Sequence, residues 1–458
     1  MSSKEIDQIL DFQKVFFFQG ETRQFAFRKT QLKKLRDAIR QSENEISKAL
    51  FDDLNKSPFE AYSTEIGFVL EEIGYHLRHL NKWVNPRRVY NPITNFPARA
   101  SLIYEPKGTV LIIAPWNYPM QLLIAPLVGA ISAGNTVILK PSELAVNTAK
   151  VMEEVINSCF DKKYVHVVNG GIETSKHLLS LDFDHIFFTG STYVGRIVAQ
   201  EAAKKLIPVT LELGGKSPCI VDKDVDVKLA ARRIVWGKLI NAGQTCIAPD
   251  YLLVHESVKD KLLPELVSAI KSFYGENPEE SPDYPRIINE PNVERLAILT
   301  EKAEIYWGGK YDVSSRYFQP AILNNVSFEM PVMQQEIFGP ILPVLTYKDL
   351  DEVIKRREGM QKPLALYFFS NNKKNQKKVL ENIQAGGVSI NDTLMHIVNP
   401  KLPFGGIGHS GMGAYHGKFS FKTFSHAKSV VKKGTWLDMP IRYAPFKNKL
   451  SIIKKLMK

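Results

Sequence analysis

The chain is 458 residues long, 44% hydrophobic and 24% charged, with 60 Lys and Arg against 48 Asp and Glu for a formal net charge of +12. A length of this order accommodates two or three domains of roughly 150 residues, whose cores need no disulfide or metal staples. With a mean hydropathy of -0.16, the composition excludes an intrinsically disordered chain and a polytopic membrane protein.

The N-terminal stretch MSSKEIDQILDFQ is polar and lacks the apolar core of an export signal, which predicts a cytoplasmic protein. Apolar positions recur at helical intervals through QILDFQKVFF and LKKLRDAIRQSENEISKALFDDL, so residues 4–80 read as helices. The proline-rich segment 86–101 interrupts them and predicts an arm or hairpin. From Tyr104 onward, short apolar runs such as TVLIIAP, NTVILK and HIFFTG alternate with helix-like stretches. That alternation implies βαβ crossovers and a parallel sheet covered on both faces. The most apolar run, Val110–Gly134, is broken by Pro115, Asn117, Pro119, Gln121 and Pro126, which predicts a strand and a buried helix in place of a membrane span.

A second α/β series begins near Ser217 with SPCIV, a helix from Asp226 to about Ile240, and YLLVHESV, and it ends near residue 392. The predicted fold is therefore α/β, with two parallel-sheet lobes flanking a cleft. The first lobe takes 1–85 and 102–215 and the second 216–392, with bridging elements at 86–101 and 415–440 and a basic tail at 441–458. Lys428 to Lys458 carries nine Lys or Arg against one acid, a local +8 out of the total +12. No cationic face interleaved with aromatics is visible, so a nucleic-acid partner is not expected. In the tail, Leu450, Ile453 and Met457 share one face among lysines, a pattern that suits a solvated or dimer-docked segment or a weak contact with an anionic membrane surface.

The cysteines are Cys159, Cys219 and Cys246, an odd number whose spacing matches neither a disulfide framework nor a zinc site. A reducing compartment and no metal are expected. Cys159 falls in the apolar phase of a helix and Cys219 in a strand, as small buried hydrophobes do. Cys246 differs: in NAGQTCIAP it follows a helix among small residues that permit a tight turn, where a thiolate is reachable by a ligand. Glu212, set between leucines in VTLELGGKSP, is either a general base of raised pKa or the partner of Lys216 in an ion pair. Asn117 follows a strand at the edge where α/β ligand sites gather, so its amide can donate to a developing oxyanion.

Two further segments point to a nucleotide. Gly190 and Ser191 in FTGSTYVGR stand at a strand-to-helix switch, where helix N–H groups meet a diphosphate. This is no Walker motif, since Arg196 and Ile197 stand where Lys and Ser/Thr belong. Lys140 and Glu143 in ILKPSE end another strand, with Pro141 expected at a helix start, and suit ribose hydroxyls. The string Gly406-Ile-Gly-His-Ser-Gly411 fits a dinucleotide pattern by letter, but no βαβ unit surrounds it.

In combination these segments resemble the NAD(P)-dependent aldehyde dehydrogenases: PWNYP at 115–119, KPSE at 140–143, FTGSTYVG at 188–195, LELGGKSP at 211–218, GQTC at 243–246, EIFGP at 336–340 and PFGG at 403–406 occur in family order. WGKLINAGQTCIAPDY and HSGMGAYHGKFSFKTFSH are similar to the dimeric class 3 branch, which includes fatty and aromatic aldehyde dehydrogenases. The resemblance implies a Rossmann-like cofactor lobe and a catalytic lobe, Cys246 as nucleophile, Glu212 as base for deacylation, and Asn117 with the Cys246 backbone N–H as oxyanion site. It implies that Lys140 and Glu336 hold ribose hydroxyls, that Phe338 packs beside the nicotinamide end, and that Gly190 and Ser191 lie near the diphosphate. Many class 3 relatives carry a second Cys four residues before the nucleophile, where Ala242 stands here. Glu143 near the ribose favours NAD, with NADP possible. The implied reaction is oxidation of medium- or long-chain aliphatic or aromatic aldehydes to acids by a homodimer, with Trp236 and Tyr118 either lining the tunnel or serving as core. The rival readings are a coenzyme A-acylating dehydrogenase, which the presence of Glu212 opposes, a cofactor-free Glu-Lys-Cys amidohydrolase, which leaves Lys140, Ser191 and Glu336 without work, and a non-enzymatic membrane-surface module.

Overall fold

A computed structural model describes residues 1–457; Lys458, the last residue of the expected basic tail, lies outside them. The N-terminal region is helical as the apolar spacing predicts. Helix Ser3–Phe18 opens on a capping box between Ser2 and Glu5 and sets Ile6, Ile9 and Leu10 into the core beside Leu111 and Ile138.

The first lobe is built on a six-stranded sheet in the order Gly411–Met412, Val209–Leu213, His185–Gly190, Thr109–Ile113, Thr136–Lys140, Val165–Val167. Strands Thr136–Lys140 and Val165–Val167 extend to one side of Thr109–Ile113, while His185–Gly190 and Val209–Leu213 lie on the other. The winding therefore reverses beside Thr109–Ile113. In a doubly wound sheet a crevice opens at that place, outside the carboxyl ends of the strands. Helix Gln121–Ala133 runs directly from this edge and is buried along its whole length, which makes the most apolar run of the chain a core helix. Among the described residues no helix is long and apolar enough to cross a membrane.

The second lobe carries a seven-stranded sheet in the order Glu304–Gly308, Ala321–Asn324, Ile341–Tyr347, Tyr251–His255, Pro218–Val221, Ala365–Phe369, Gly387–Ile390. Both sheets are parallel except at one edge. Glu304–Gly308 pairs antiparallel with Ala321–Asn324, and Gly411–Met412 pairs antiparallel with Val209–Leu213, placing Gly411 opposite Glu212. Alternating strands and helices predict parallel neighbours, but these edge strands reach the sheets by other routes. Gly411–Met412 arrives after the second lobe is complete, so the 406–411 glycines lead into a strand and not into a phosphate-binding helix.

The 86–101 segment forms the expected hairpin: Arg87–Val89 pairs with Ala98–Pro106, which pairs in turn with Ser425–Lys433. One buried cluster contains Val110 and Phe187 of the first sheet together with Cys219, Leu252 and Val344 of the second. The two lobes therefore share a core, and the cleft between them has packed walls.

Candidate active site

Helix Val227–Leu239 ends in a short 3-10 turn, Ile240–Gly243, in which Asn241 (φ 53°), Ala242 (φ 50°) and Gly243 (φ 76°) are successively left-handed. Asn and Ala each cost on the order of 1 kcal/mol in that region. Hydrogen bonds from several elements hold them there. The Asn241 N–H donates to Glu60 Oε1 at 2.7 Å, and Asn241 Nδ2 donates to the Asn117 carbonyl at 2.7 Å. Gln244 Nε2 donates to the carbonyls of Asn241 and Arg286 at 3.1 and 3.0 Å, and Gln244 Oε1 accepts from the Ile288 N–H at 3.0 Å. Cys246 follows two residues later, half-buried, with the Ile247 carbonyl accepting from the Tyr367 hydroxyl at 2.5 Å.

Burial pushes the Cys246 thiol well above its ordinary range, and the charges of Glu336 and Glu212 add to that shift, while the backbone N–H groups of Cys246 and Ile247 pull the other way. Glu212 is 3% exposed, and neither of its carboxylate oxygens has a hydrogen-bond partner among the described residues. Burial raises its pKa well above the usual carboxylate value. The ion pair with Lys216 weighed from the sequence does not form: Lys216 pairs with Asp250 and donates to the carbonyls of Val332 and Gln335 at 3.0 and 2.8 Å.

Asn117 reaches the same place from the first lobe. It is 2% exposed, and its Nδ2 donates to the Gln244 carbonyl at 2.9 Å. A primary amide has two N–H donors, so one orients the side chain and the other stays free for a ligand oxygen. The neighbouring Tyr118 is buried and bonds Thr245 Oγ1 at 2.6 Å, whereas Trp236 is 40% exposed and is no core residue.

Glu336 and Phe338 sit on a clamped loop. The Ile337 N–H donates to Asp250 Oδ1 at 2.9 Å and the Ile337 carbonyl accepts from Arg295 Nη2 at 2.8 Å. Phe338 is left-handed (φ 50°) and meets Trp116 edge-on, with ring centroids 5.3 Å apart. Burial and the charge of Asp250 raise Glu336 to about 8, against a backbone N–H of Gly215 and the cations Lys216 and Arg295.

Along the crevice, Lys140 is 3% exposed and bonds Glu143 Oε2 at 2.6 Å. Burial works to raise Glu143, but that ammonium and the Glu143 backbone N–H together outweigh it and hold the carboxyl below its ordinary value. Pro141 does not start a helix. The next helix begins at Val146, after a turn in which the Leu144 N–H donates to Ser142 Oγ at 3.2 Å. Ser191 is exposed and caps helix Thr192–Ala203, accepting from the Val194 N–H at 3.3 Å.

Asn117 thus meets the turn that carries Cys246, Glu212 and Glu336 lie close enough for their charges to act on its thiol, and Phe338 meets Trp116 next to Asn117. Lys140 with Glu143, and Gly190 with Ser191, lie at the ends of the two strands that flank Thr109–Ile113. Strands two places apart are separated by roughly 10 Å, a span an extended dinucleotide covers. A row of strand ends, a capped helix N-terminus and the unpartnered Glu212 carboxyl fit such a ligand. Among the described residues no group of three or more His, Cys, Asp or Glu is placed to hold a metal ion.

Sequence reasoning missed Tyr415. Its hydroxyl is buried, and the charges of Glu212 and Cys246 act on it. It also missed Lys56 and Glu65, which grip the Asn117 loop from the N-terminal helices. For Lys56 and Glu65 the signal lies in pairing over long separations, 61 residues from Lys56 to Asn117 and 55 from Glu65 to Met120.

A model of the aldehyde dehydrogenase family matches residues 2–430. The chain is 50% identical over 447 residues to the 4,4'-diaponeurosporen-aldehyde dehydrogenase of Staphylococcus aureus (strain NCTC 8325 / PS 47), covering 97% of each protein. It is 48% identical over 431 residues to aldehyde dehydrogenase family 3 member A2 of Pongo abelii, covering 94% of this chain and 89% of that one. A solved structure described as the substrate-bound state of Staphylococcus aureus AldH superposes with a TM-score of 0.98 at 50% identity, over 99% of each chain.

Proposed function

We propose, from the premise that this chain belongs to the aldehyde dehydrogenase family, that it oxidises bulky apolar aldehydes, long-chain or aromatic, at Cys246. It belongs to the class 3 branch of that family and is an NAD(P)-dependent oxidoreductase acting on aldehydes. In the proposed reaction the Cys246 thiolate adds to the aldehyde carbon, and the carbonyl electron pair moves onto oxygen. That oxygen is met by the free N–H of Asn117 and the backbone N–H of Cys246, donors fixed before charge develops. Bound NAD(P) supplies the hydride acceptor for the step that leaves a thioester on the sulfur. Ionised Glu212 then takes a proton from water, whose oxygen adds to the thioester carbon, and the acid departs as Sγ regains its electron pair. Lys140, Glu143 and Glu336 would hold ribose hydroxyls, Gly190 and Ser191 would hold the diphosphate, and Phe338 would flank the nicotinamide end.

The observation that carries this reading is the meeting of Asn117 and the Cys246 turn at 2.9 Å, beside a buried carboxyl with no partner among the described residues. Exposed apolar side chains support the substrate class. Phe59 and Tyr62 lie on either side of Glu60, which holds Asn241, while Trp236 lies five residues before Asn241. Met395 and Leu402 are also exposed, on the segment whose Thr393 bonds the Arg233 carbonyl at 2.8 Å. We read these as the collar of an apolar entrance.

A homodimer is the proposed assembly, because the outer edge of strand Ser425–Lys433 is solvent-exposed along most of its length and offers an unpaired row of backbone groups. The free thiols of Cys159, Cys219 and Cys246 support a cytoplasmic setting. The exposed helix Leu450–Leu456, with Lys454 and Lys455 in its last turn, is read as a weak contact for an anionic membrane surface, to be tested by liposome sedimentation with and without residues 447–458.

The test of function is spectrophotometric: straight-chain aldehydes of increasing length and benzylic aldehydes, each with NAD and with NADP, beside Cys246→Ala. The expected result is turnover that improves with chain length or aromaticity and vanishes in the variant. Turnover retained by Cys246→Ala, or confined to short polar aldehydes, contradicts the proposal.

A further inference from the structure

Lys56 is fully buried, yet no step described above uses it. Its ammonium meets Glu65 Oε1 at 2.5 Å, donates to the Asn117 carbonyl at 3.0 Å, and lies 4.0 Å from the centroid of the Tyr118 ring. Three donors on one nitrogen are thereby spent on a carboxylate, a carbonyl and an aromatic face. The other oxygen of Glu65 accepts from the N–H groups of Met120 and Gln121 at 2.9 and 3.1 Å, where helix Gln121–Ala133 begins. Glu65 lies in a π-helical turn, Tyr62–Ile66, a distortion often found at functional sites.

A dry ion pair carries a desolvation penalty that an apolar pair of similar volume does not, so stability alone is a poor reason for it. Its geometric effect is specific. The pair grips both ends of the loop 117–121, one through the Asn117 carbonyl and the other through the helix start. The carbonyl held by Lys56 also accepts from Asn241 Nδ2 at 2.7 Å, in the strained turn before the sulfur. One ammonium thus ties together the N-terminal helices, the Asn117 loop of the first lobe and the Cys246 turn of the second.

We propose that Lys56, held by Glu65, is a positioning residue of the reaction: it fixes the Asn117 amide at the place where the oxyanion forms. The inference rests on the reading of Asn117 as an oxyanion donor. It makes the effect of Lys56 on rate pass through Asn117, which a general packing role does not.

The test is a double-mutant cycle on the full chain, with kcat/KM for aldehyde as the readout. Lys56→Met is expected to lower kcat/KM by on the order of 10²-fold, as loss of an oxyanion donor does. In an Asn117→Ala background the same change is expected to cost less than about threefold. NAD affinity should stay within about twofold, since it does not read the amide. Should the unpaired carboxylate unfold Lys56→Met, Lys56→Met/Glu65→Gln removes both charges and carries the same cycle. Failure of the double variant to fold as well would make the pair a folding element and overturn the proposal. So would additive losses, or full activity in a folded Lys56 variant. If Asn117→Ala alone were as fast as the parent, the oxyanion reading itself would fall, a result distinct from additivity.

Discussion

The Asn117–Cys246 seam and the Glu212 pocket lie side by side and are built in opposite ways. At the seam, side chains and backbone from both lobes are tied by bonds of 2.7 to 3.2 Å among Asn117, Asn241, Gln244, Glu60 and Lys56. In the pocket, Glu212 sits on a strand with both oxygens unbonded among the described residues. A donor to an oxyanion works best when it cannot reorganise, so the seam is over-determined. A base must exchange a proton with water, and hydrogen bonds to its charged form would hold its pKa too low for the task. The two constructions match the two halves of the proposed cycle, thioester formation and thioester hydrolysis.

The largest expected effect breaks both halves together. Cys246→Ala should reduce aldehyde-dependent reduction of NAD(P) to the uncatalysed background, measured by absorbance on folded protein. Glu212→Gln should separate them: steady-state kcat falls by on the order of 10²–10³ while the first turnover persists as a burst in rapid mixing. A matched loss of burst and steady state would place Glu212 in both halves. Asn117→Ala acts on the other side, slowing the burst itself by on the order of 10²–10³.

Smaller effects sharpen the contrast through pH. Burial raises Glu60 to about 7, against Lys56 and the Asn241 N–H, and Glu65 and Asp283 add to the rise. A carboxyl raised in the folded state binds its proton more tightly there. Its contribution to stability is full below the ordinary value of 4.5 and is lost as pH rises through about 7. Glu60→Gln should therefore flatten this loss of Tm between acidic and mildly alkaline buffer, worth about 3 kcal/mol at most. An unchanged profile would mean that Glu60 is ionised with its full complement of partners. The Cys246 thiol gives the kinetic counterpart: its alkylation rate should still climb steeply above pH 9.0, its ordinary midpoint, because the raised pKa delays thiolate formation. A plateau near neutrality would contradict the raised thiol.

Much of this site is legible in the sequence because its signals are local. Cys246 stands out by the small residues before it, Asn117 by following an apolar strand, and Ser191 by capping the helix that begins next to it. The alternation of strands and helices likewise exposes both sheets, since each period is read within a dozen residues or so. What stays hidden is pairing at a distance. Helix Val146–Cys159 starts later than Pro141 because its first N–H groups are met by Asp53, which accepts from Asn147 and Thr148 at 3.1 and 2.8 Å. A cap supplied from another helix leaves no mark beside the helix it caps. The same holds for Lys56 on Asn117 and for Gly411 opposite Glu212. Lys216 misleads for the converse reason: it is near Glu212 in sequence, yet it turns to Asp250 across the fold.

The most direct measurement of the central claim is intact-protein and peptide mass spectrometry of Glu212→Gln after mixing with a long-chain aldehyde and NAD(P). One acyl adduct per chain is expected, mapped to Cys246, forming at the burst rate and decaying slowly. Turnover without any adduct, or an adduct on another residue, would contradict that claim.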